Sequence, residues 1–322
     1  MKKKPFKFGK ITLPNNIFYA PLAGCSDYPF RKMSALYQPG LIYCEMVKMD
    51  ALIRNDPGTF HMLDYDKSMH PIGGQICGSK PQIAGKAARI IQELGFDVVD
   101  LNCGCPVDKV TKDGSGSGLL KNPKLIGDLV SNMVAAVSIP VTLKIRAGWD
   151  DKNIHAAEIT RIAEEAGATA ICVHGRTREQ AYRGPANWDW IIESKKAAKN
   201  ILVIGNGDLF DAPAVKNMFE TTHCDAVLIA RGTMGQPWIA QDALNYLDGH
   251  NTPEKTHEEL KAALKQHFHF MKSYLSDRQA CIEMRRVGCW YIKKSSGTRS
   301  IREQISHATT LDEIERVIET LI

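Results

Sequence analysis

Val98-Val99-Asp100-Leu101-Asn102-Cys103-Gly104-Cys105-Pro106 is the stretch from which the fold can be deduced. Its apolar residues predict a buried strand, and the glycine and the proline that follow end that strand. Cys105 therefore lies just past a strand end. Asn102 carries an amide that can donate and accept hydrogen bonds to a planar ligand such as a pyrimidine. The alternative interpretation is an ordinary strand-to-helix loop that contains a buried thiol.

The residues after this stretch include three glycines at alternate positions, Gly114, Gly116 and Gly118, set among small polar residues. Glycine adopts backbone conformations that other residues avoid, and functional loops are often built from such segments. We therefore predict a flexible segment that closes over a bound group or lets the backbone approach one.

The chain up to about residue 248 alternates apolar strands with helices. The predicted strands are 17–20, 41–45, 70–76, 98–101, 141–145, 170–173, 201–204 and 226–229. The predicted helices are 30–37, 47–54, 81–94, 123–137, 153–166, 188–197 and 212–219. Eight strand-then-helix units over roughly 245 residues are typical of a closed parallel (β/α)8 TIM barrel. An open, doubly wound α/β sheet is the alternative.

Polar residues fall at the ends of these strands, and they favour the barrel. In a barrel they converge on one mouth, the face where barrel enzymes carry their chemistry, whereas in an open sheet they would be spread along an edge. The residues concerned are Gln75, Asn102, Lys144, Arg146, His174, Asn206 and Arg231. The turns at 205–208 and 230–232 consist of small residues whose N–H groups can surround an anion, which suggests a phosphorylated cofactor. Lys144 would place a cation where it steadies negative charge on a reduced ring system, although a polar strand cap explains each residue taken alone.

The sequence after residue 248 has a different pattern. Residues 250–253 predict a linker in which Thr252 caps a helix and Pro253 occupies its first position. Helices are predicted at 254–274, 278–294, 301–307 and 311–321, with a break at 295–297, and they would form a small bundle. We therefore predict two domains, a barrel at 1–247 and a helical domain at 248–322.

Charge is concentrated near the two ends of the chain. The net charge is +5, residues 2–10 carry five lysines, and residues 278–302 carry seven Lys or Arg against the single acid Glu283. This distribution favours a polyanionic partner, although solvated basic tails give the same pattern. Arg285 and Arg286 are adjacent, and guanidinium groups suit phosphate oxygens.

Composition limits the remaining possibilities. With 322 residues, of which 44% are hydrophobic and 24% charged, the chain is ordinary for a globular protein. Nine cysteines without a regular framework, and no signal peptide or membrane-spanning run, predict a reducing, cytoplasmic setting. Only Cys103 and Cys105 are close neighbours, so we expect no tetrahedral zinc site and no other bound metal.

Five blocks of the sequence resemble the signature blocks of the tRNA-dihydrouridine synthases. They are 20–31 (APLAGCSDYPFR), 100–106 (DLNCGCP), 141–149 (VTLKIRAGW), 174–178 (HGRTR) and 231–238, where Arg-Gly leads to Pro-Trp. The likeness covers nearly the whole chain, in order, and is greatest to the bacterial B-type members. Two departures stand out. Ala230 replaces the usual glycine, and Cys103 occupies a position that is often apolar, without a role we can assign.

The resemblance implies an FMN-dependent barrel followed by a helical tRNA-binding domain. FMN would be held by Pro21, Leu22, Ala23, Gln75, Lys144, Asn206, Gly207, Asp208, Ala230 and Arg231, with His174 close to the flavin or the substrate. Cys105 matches the family's catalytic cysteine and Asn102 the amide that holds the target uracil. Arg146 would also reach the uracil. Phosphates of the tRNA would be bound by Lys48, Arg285 and Arg286.

The implied reaction saturates the C5–C6 bond of a D-loop uridine. It needs hydride at C6 and a proton at C5, and Cys105 would supply the proton. By resemblance, NADPH first reduces the flavin and leaves before RNA enters; a monomer without a protein partner is expected. Two other hypotheses are a flavin-dependent dehydrogenase of a free pyrimidine, of the dihydroorotate or dihydropyrimidine type, and a non-enzymatic RNA-binding protein.

Overall fold

Eight parallel strands close into a barrel in the computed structural model of the chain, which describes residues 5–293 and 299–321. The pairing of Ile42 with Ile72 and of Tyr43 with Gly73 closes the ring. The strands are β1 (Phe6–Phe8), β2 (Ile11–Leu13), β3 (Ile17–Tyr19), β4 (Leu41–Tyr43), β5 (Val47–Lys48), β6 (Ile72–Cys77), β7 (Val98–Cys103), β8 (Val141–Arg146), β9 (Ala170–His174), β10 (Leu202–Asn206) and β11 (Ala226–Ile229). The predicted TIM barrel is confirmed, and the open sheet is excluded.

Helices surround the barrel. They are α1 (Tyr28–Ala35), α2 (Met49–Ile53), α3 (Pro57–Met62), α4 (Pro81–Glu93), α5 (Asp108–Thr111), α6 (Pro123–Ala136), α7 (Ala156–Glu165), α8 (Asp189–Ala197), α9 (Ala212–Thr222) and α10 (Ile239–Leu247). The prediction of one helix over 47–54 was wrong, because β5 first pairs with the end of β6 and only α2 is helical. Helices α3 and α10 were not predicted.

Alternate residues of each strand face opposite sides of the barrel wall. On β11, Val227 and Ile229 belong to the core between barrel and helices, whereas Ala226 and Leu228 belong to the core inside the barrel. The same alternation separates Leu143 and Ile145 on β8, which pack outward, from Lys144 between them. Polar residues at every second position near the strand ends therefore point into the barrel.

A hairpin that the sequence analysis missed contributes to the interior core. Strands β1 and β2 pair antiparallel, and Phe8 and Leu13 are fully or almost fully buried. The Phe8 ring meets the ring of Phe18 edge to face, with centroids 5.7 Å apart. Because Phe18 and its neighbours fill one end of the barrel, the cavity can form only at the opposite end, where the strands finish.

Four further helices follow the barrel: α11 (His257–Tyr274), α12 (Asp277–Ile292), α13 (Arg299–His307) and α14 (Leu311–Glu319). The predicted cap at Thr252 was wrong, and Thr256 caps α11 instead. Thr256 forms a capping box with Glu259, whereas Lys255 stands three residues after Thr252 and cannot accept from its N–H. The predicted break at 295–297 lies outside the described residues, as do Lys294 and the lysines at positions 2–4.

Aromatic contacts join these helices to the barrel. Tyr274 stacks on Tyr28, with ring centroids 4.1 Å apart, and on His61, with centroids 5.4 Å apart. The Tyr274 hydroxyl donates to Asp64 Oδ2 over 2.7 Å. Trp238, from the segment before α10, is part of the hydrophobic core of the C-terminal helices. Among the described residues, no helix has the length and apolar composition needed to cross a bilayer.

We expect Tyr274→Ala to lower the free energy of unfolding by about 2 kcal/mol, because it removes two ring contacts and a hydrogen bond to a carboxylate. Urea unfolding followed by circular dichroism would measure the loss. Tyr274→Phe is the matched control, since it keeps the rings and removes only the hydroxyl. If the two variants lost the same stability, the stacking would contribute nothing.

Candidate active site

A cavity of about 370 Å³ lies at the carboxyl ends of the barrel strands. Its volume is in the range of small-molecule and cofactor sites. Fourteen of the residues singled out from the sequence line it: Pro21, Leu22, Ala23, Gln75, Asn102, Cys105, Lys144, Arg146, His174, Asn206, Gly207, Asp208, Ala230 and Arg231. The gathering of polar strand ends at one mouth is therefore observed.

The two neighbouring cysteines of the opening stretch have different surroundings. Cys105 lies in the loop after β7 and lines the cavity. Cys103 is still on the strand, is fully buried, and packs in the core between barrel and helices. Burial raises the pKa of the Cys103 thiol well above its usual value. Only Cys105 of this pair is placed to meet a ligand.

The backbone of Cys105 is held from both sides. Asn102 Oδ1 accepts from the N–H groups of Cys105 and Gly104 over 2.9 and 3.2 Å. The Cys105 carbonyl accepts from the N–H and the hydroxyl of Ser117 over 3.0 and 2.9 Å. The glycine-rich segment contains a short 3-10 helix, Gly116–Lys121, which packs on this turn, and its predicted flexibility stays a prediction. Gly116 is needed there, since its φ is 58° and a Cβ would meet the Cys105 carbonyl oxygen at 2.9 Å.

Beneath Asn102 lies a buried chain of polar side chains. Asn102 Nδ2 donates to Gln75 Oε1 over 2.8 Å, and Gln75 Nε2 donates to Asp100 Oδ2 over 2.7 Å. The other oxygen of Asp100 accepts from the Thr142 hydroxyl over 2.6 Å. Burial raises the pKa of Asp100 to about 6, against hydrogen bonds from Gln75 and Thr142 that lower it.

Two basic side chains face the cavity without a hydrogen-bond partner among the described residues. Both ring nitrogens of His174 are buried and unpaired. Burial, together with nearby cations, holds the pKa of His174 well below its usual value, so the ring is neutral at neutral pH. The Lys144 ammonium likewise has no hydrogen bond or ion pair within the described part of the chain, and burial lowers its pKa.

Arg146 supports the loops around the mouth. Its guanidinium donates to the carbonyl oxygens of Gly104, Thr177 and Ala181 over 3.0, 2.9 and 2.7 Å. Burial lowers the pKa of Arg146 to about 10, which leaves it charged at neutral pH. Arg146 therefore joins the turn that carries Cys105 to the loop after β9.

The ends of β10 and β11 form a site suited to an anion. Within the described residues, the backbone N–H groups of Gly207, Asp208 and Arg231 donate to no other backbone group. Gly207 has φ 128°, and a Cβ on it would meet the Ala186 Cβ at 2.7 Å, so a side chain does not fit. Asp208 also has a positive φ, 56°. Unpaired N–H groups on such a turn can bind the oxygens of a phosphate.

Asp208 itself is engaged with two arginines. Its carboxylate lies 2.7 Å from Arg176 Nη2 and 3.2 Å from Arg231 Nη2. Arg176 is almost fully buried, and its side chain is only 3% exposed. Asp208 Oδ2 also accepts from the Ala186 N–H over 2.8 Å. Its carboxylate therefore orders the anion-binding turn, whereas only its backbone remains open to a ligand.

Sequence reasoning missed an apolar rim around the mouth. Val107, Tyr182 and Phe210 all line the cavity and are 55%, 58% and 37% exposed. The Arg231 guanidinium lies over the rings of Tyr182 and Phe210, 4.8 and 5.3 Å from their centroids. An aromatic residue in the loop after a strand was the available signal for Tyr182. Cys25, Met46 and Met234 were also missed.

Three predicted tRNA contacts lie outside the cavity and have partners within the protein. Lys48 forms an ion pair with Asp113 at 2.6 Å, and Arg285 Nε donates to the Ala308 carbonyl over 2.7 Å. Arg286 pairs with Glu283 at 2.5 Å and donates to the Gly24 carbonyl in the loop beside the cavity. Their proposed role in binding phosphate stays a prediction. The described residues contain no cluster of His, Cys, Asp or Glu that could hold a metal ion.

Comparison with known proteins gives a consistent family. Residues 18–322 match the family model for dihydrouridine synthase (Dus). The tRNA-dihydrouridine synthase B of Pseudomonas aeruginosa is 34% identical, with 95% of this chain and 92% of the relative covered. The tRNA-dihydrouridine synthase B of Vibrio cholerae is 35% identical, with 95% of both chains covered.

Two solved structures share the fold at low identity. A histamine dehydrogenase from Rhizobium sp. 4-9 has a TM-score of 0.61 and 12% identity, and 84% of this chain is covered. A 2-naphthoyl-CoA reductase has a TM-score of 0.58 and 13% identity, with 77% covered. The chain spans about half of each of these longer proteins, 51% and 52% respectively. At such identities the likeness concerns the fold alone.

Proposed function

The chain belongs to the dihydrouridine synthase family, and on that premise we propose that it reduces the C5–C6 bond of a D-loop uridine in tRNA, with FMN as bound cofactor. The observation that carries the proposal is the position of Cys105. Its thiol-bearing loop lines the same cavity as Lys144, His174 and the anion-binding turn. In this proposal, one pocket would combine a proton donor, polar groups for a ring and a phosphate site.

The cavity residues fit FMN. The unpaired N–H groups of Gly207, Asp208 and Arg231 suit a phosphate, and the two unpaired nitrogens of buried His174 call for a polar ligand. FMN would be held by the set predicted from the sequence: Pro21, Leu22, Ala23, Gln75, Lys144, His174, Asn206, Gly207, Asp208, Ala230 and Arg231. When bound, the flavin supplies the hydride that uracil receives at C6.

Cys105 would serve as the acid that protonates C5. A thiol is suited to this role because it can release a proton from a fixed position and be reprotonated from solvent between turnovers. Asn102 and Ser117 fix the backbone of Cys105 on both sides, so its side chain has a defined origin. The Lys144 charge, which forms no ion pair with a carboxylate among the described residues, would steady negative charge on the ring systems in the pocket.

The uracil must leave the tRNA stack to reach this pocket. Asn102 and Arg146 line the cavity on the Cys105 side and present donors there. Donors suit the two carbonyl oxygens of uracil. Access from the solvent is over the rim of Val107, Tyr182 and Phe210, whose apolar surfaces can contact bases.

We propose that the tRNA backbone is held outside the cavity by Lys48, Arg285 and Arg286, and that 248–322 forms the tRNA-binding domain beside the barrel at 1–247. The side chains of Lys48 and Arg286 are 35% and 40% exposed, so both retain donors for phosphate. NADPH as the reductant, a monomeric state and a cytoplasmic location stay predictions. All nine cysteines are unpaired, as a reducing compartment requires.

Salt should weaken tRNA binding, and Lys48→Ala should reduce that dependence. Each phosphate contact contributes about one unit to the slope of log K against log salt, so the variant's slope should fall by about one. Filter binding at several salt concentrations measures it. Lys216→Ala is the matched control, because Lys216 is also an ion-paired surface lysine but lies on α9. If the slopes of log K against log salt were equal for wild type and Lys48→Ala, Lys48 would not contact a phosphate of the tRNA.

The proposed function is tested by offering the purified enzyme unmodified tRNA or free pyrimidines, with NADPH and FMN. We expect a yellow protein that forms dihydrouridine in tRNA, measured by mass spectrometry of nuclease digests. Turnover of free uracil or dihydroorotate without RNA would favour the pyrimidine dehydrogenase. A colourless protein that binds tRNA but does not retain added flavin would favour a non-enzymatic RNA-binding role.

A further inference from the structure

The buried carboxylate of Asp100 is connected through two hydrogen bonds to Asn102, the residue that holds the Cys105 turn. Asp100 is 4% exposed, Gln75 is 1% exposed and Asn102 is 8% exposed. They lie on the neighbouring strands β6 and β7, and each donates or accepts within 2.7 to 2.8 Å of the next. This chain of hydrogen bonds ends at Cys105, whose N–H donates to Asn102 Oδ1 over 2.9 Å.

The two ends of this chain dictate the orientation of both amides. An ionised carboxylate can only accept, so Gln75 must turn its NH2 group toward Asp100. Gln75 then presents its oxygen to Asn102, so Asn102 must donate to it from its own NH2 group. At the other end, the Cys105 N–H can only donate, so it requires the oxygen of Asn102. Both requirements agree on one orientation, and reversing both amides would set two acceptors against each other at Asp100 and two donors against each other at Cys105.

Both oxygens of Asp100 accept hydrogen bonds, one from Gln75 Nε2 and one from the Thr142 hydroxyl, which is the arrangement of an ionised carboxylate. Burial raises the pKa of Asp100 to about 6, against these two hydrogen bonds, which lower it. The Lys144 ammonium also acts against burial and favours the carboxylate. The Thr142 hydroxyl donates to Asp100 Oδ1, which leaves Asp100 Oδ2 as the acceptor for Gln75.

We propose that Asp100 is a positioning residue that fixes the donor and acceptor polarity of Gln75 and Asn102 and, through Asn102, the turn that carries Cys105. This inference rests on the proposed function. The amide nitrogen of Asn102 has a second hydrogen beyond the one given to Gln75. With its polarity fixed, Asn102 can offer only a donor to a uracil carbonyl, and Cys105 keeps a constant position relative to it.

The test compares two nearly isosteric changes that each remove one hydrogen bond from the same carboxylate. Asp100→Asn weakens the anchor of this series of hydrogen bonds, because a neutral amide can turn its NH2 group toward the NH2 group of Gln75 and then sets two donors against each other. We expect kcat for dihydrouridine formation to fall by up to about 100-fold, the cost of misplacing a reacting group by about an ångström. Thr142→Val leaves the chain from Asp100 to Cys105 intact, and its kcat should stay at the wild-type value. An unchanged kcat in Asp100→Asn, or an equal loss in Thr142→Val, would overturn the proposal.

A charge exchange provides the rescue. In the double variant Asp100→Asn with Gln75→Glu, the new amide donates to the new carboxylate, which again accepts from Asn102. The polarity at Asn102 is restored, and the readout for this variant is the position of Cys105 in flavin-free protein, because Gln75 is also in the proposed flavin site. If Asp100→Asn fails to fold, the double variant is still expected to fold. A folded double variant in which Cys105 reacted as fast as in Asp100→Asn would contradict the polarity argument.

A readout without catalysis separates this inference from the proposed function. In flavin-free protein, the alkylation rate of Cys105 by iodoacetamide can be followed by mass spectrometry of its peptide. The rate should rise in Asp100→Asn, because the turn is less firmly held, and should return in the double variant and stay constant in Thr142→Val. If wild type formed no dihydrouridine while this pattern held, the proposed function would fail and the positioning role would stand. Equal alkylation rates of Cys105 in wild type and the three variants would show that Asp100 does not position the Cys105 turn.

Discussion

Cys105→Ala is expected to lower kcat for dihydrouridine formation by about 10²- to 10⁴-fold, the usual contribution of a positioned general acid. The structure places the Cys105 loop at the cavity, with its backbone fixed by Asn102 and Ser117. Alanine keeps the backbone hydrogen bonds and removes only the sulfur. Flavin content, read from visible absorbance, should therefore be unchanged while product formation is lost. The rate of dihydrouridine formation in unmodified tRNA measures the effect.

Cys103→Ala is the matched control for this prediction. Cys103 is two residues away but packs in the core between barrel and helices, away from the cavity. Its removal should leave kcat unchanged and cost only packing stability. A normal rate in Cys105→Ala, or a comparable loss in Cys103→Ala, would show that the wrong thiol had been assigned.

Asp208→Ala is expected to lower the free energy of unfolding by about 3 kcal/mol, because it leaves the buried Arg176 charge without its carboxylate. Arg176 and Asp208 are 3% and 26% exposed, and their ion pair measures 2.7 Å. The turn that would hold the cofactor phosphate loses its order at the same time, since Asp208 also fixes Ala186. Flavin affinity should fall with stability. Urea unfolding and fluorescence titration with FMN measure the two effects.

Asp108→Ala provides the comparison for Asp208→Ala. Asp108 pairs with Arg178 near the same mouth, but its side chain is 74% exposed. Exposed pairs contribute about 1 kcal/mol or less, because solvent screens both charges. We therefore expect little loss of stability and normal flavin affinity. Equal losses from the two aspartate variants would mean that burial of Arg176 does not determine the cost.

The barrel and its mouth were predictable because a strand has a period of two residues. Apolar residues at both faces identified the strands, and polar residues at the ends of six of the eight strands marked the inward position. Lys144 lies between Leu143 and Ile145, which pack outward, so it must point inward. The same alternation places Cys103 outward with Leu101, but it does not separate Cys103 from Cys105, which is two residues further on. The two thiols differ because Cys105 lies past the end of β7.

Several features depend on tertiary contacts that no local pattern reveals. Arg286 was predicted to bind phosphate. Its hydrogen bond to the Gly24 carbonyl could not be predicted, because that bond depends on how the C-terminal helices pack on the barrel. The apolar rim at Tyr182 depends on the path of a long loop. Asp100 was visible as an acid within an apolar strand, yet its role emerged only with the partners that neighbouring strands supply.

The most direct test of the account is the configuration of the hydrogen added to C5. Reduction of tRNA in deuterated water would label C5 from an exchangeable acid, and NMR of the isolated dihydrouridine would give the configuration. A thiol fixed on one wall of the pocket predicts a single configuration in the wild-type product and a mixture in the residual product of Cys105→Ala. A mixture of both configurations in the wild-type product would contradict proton delivery by Cys105.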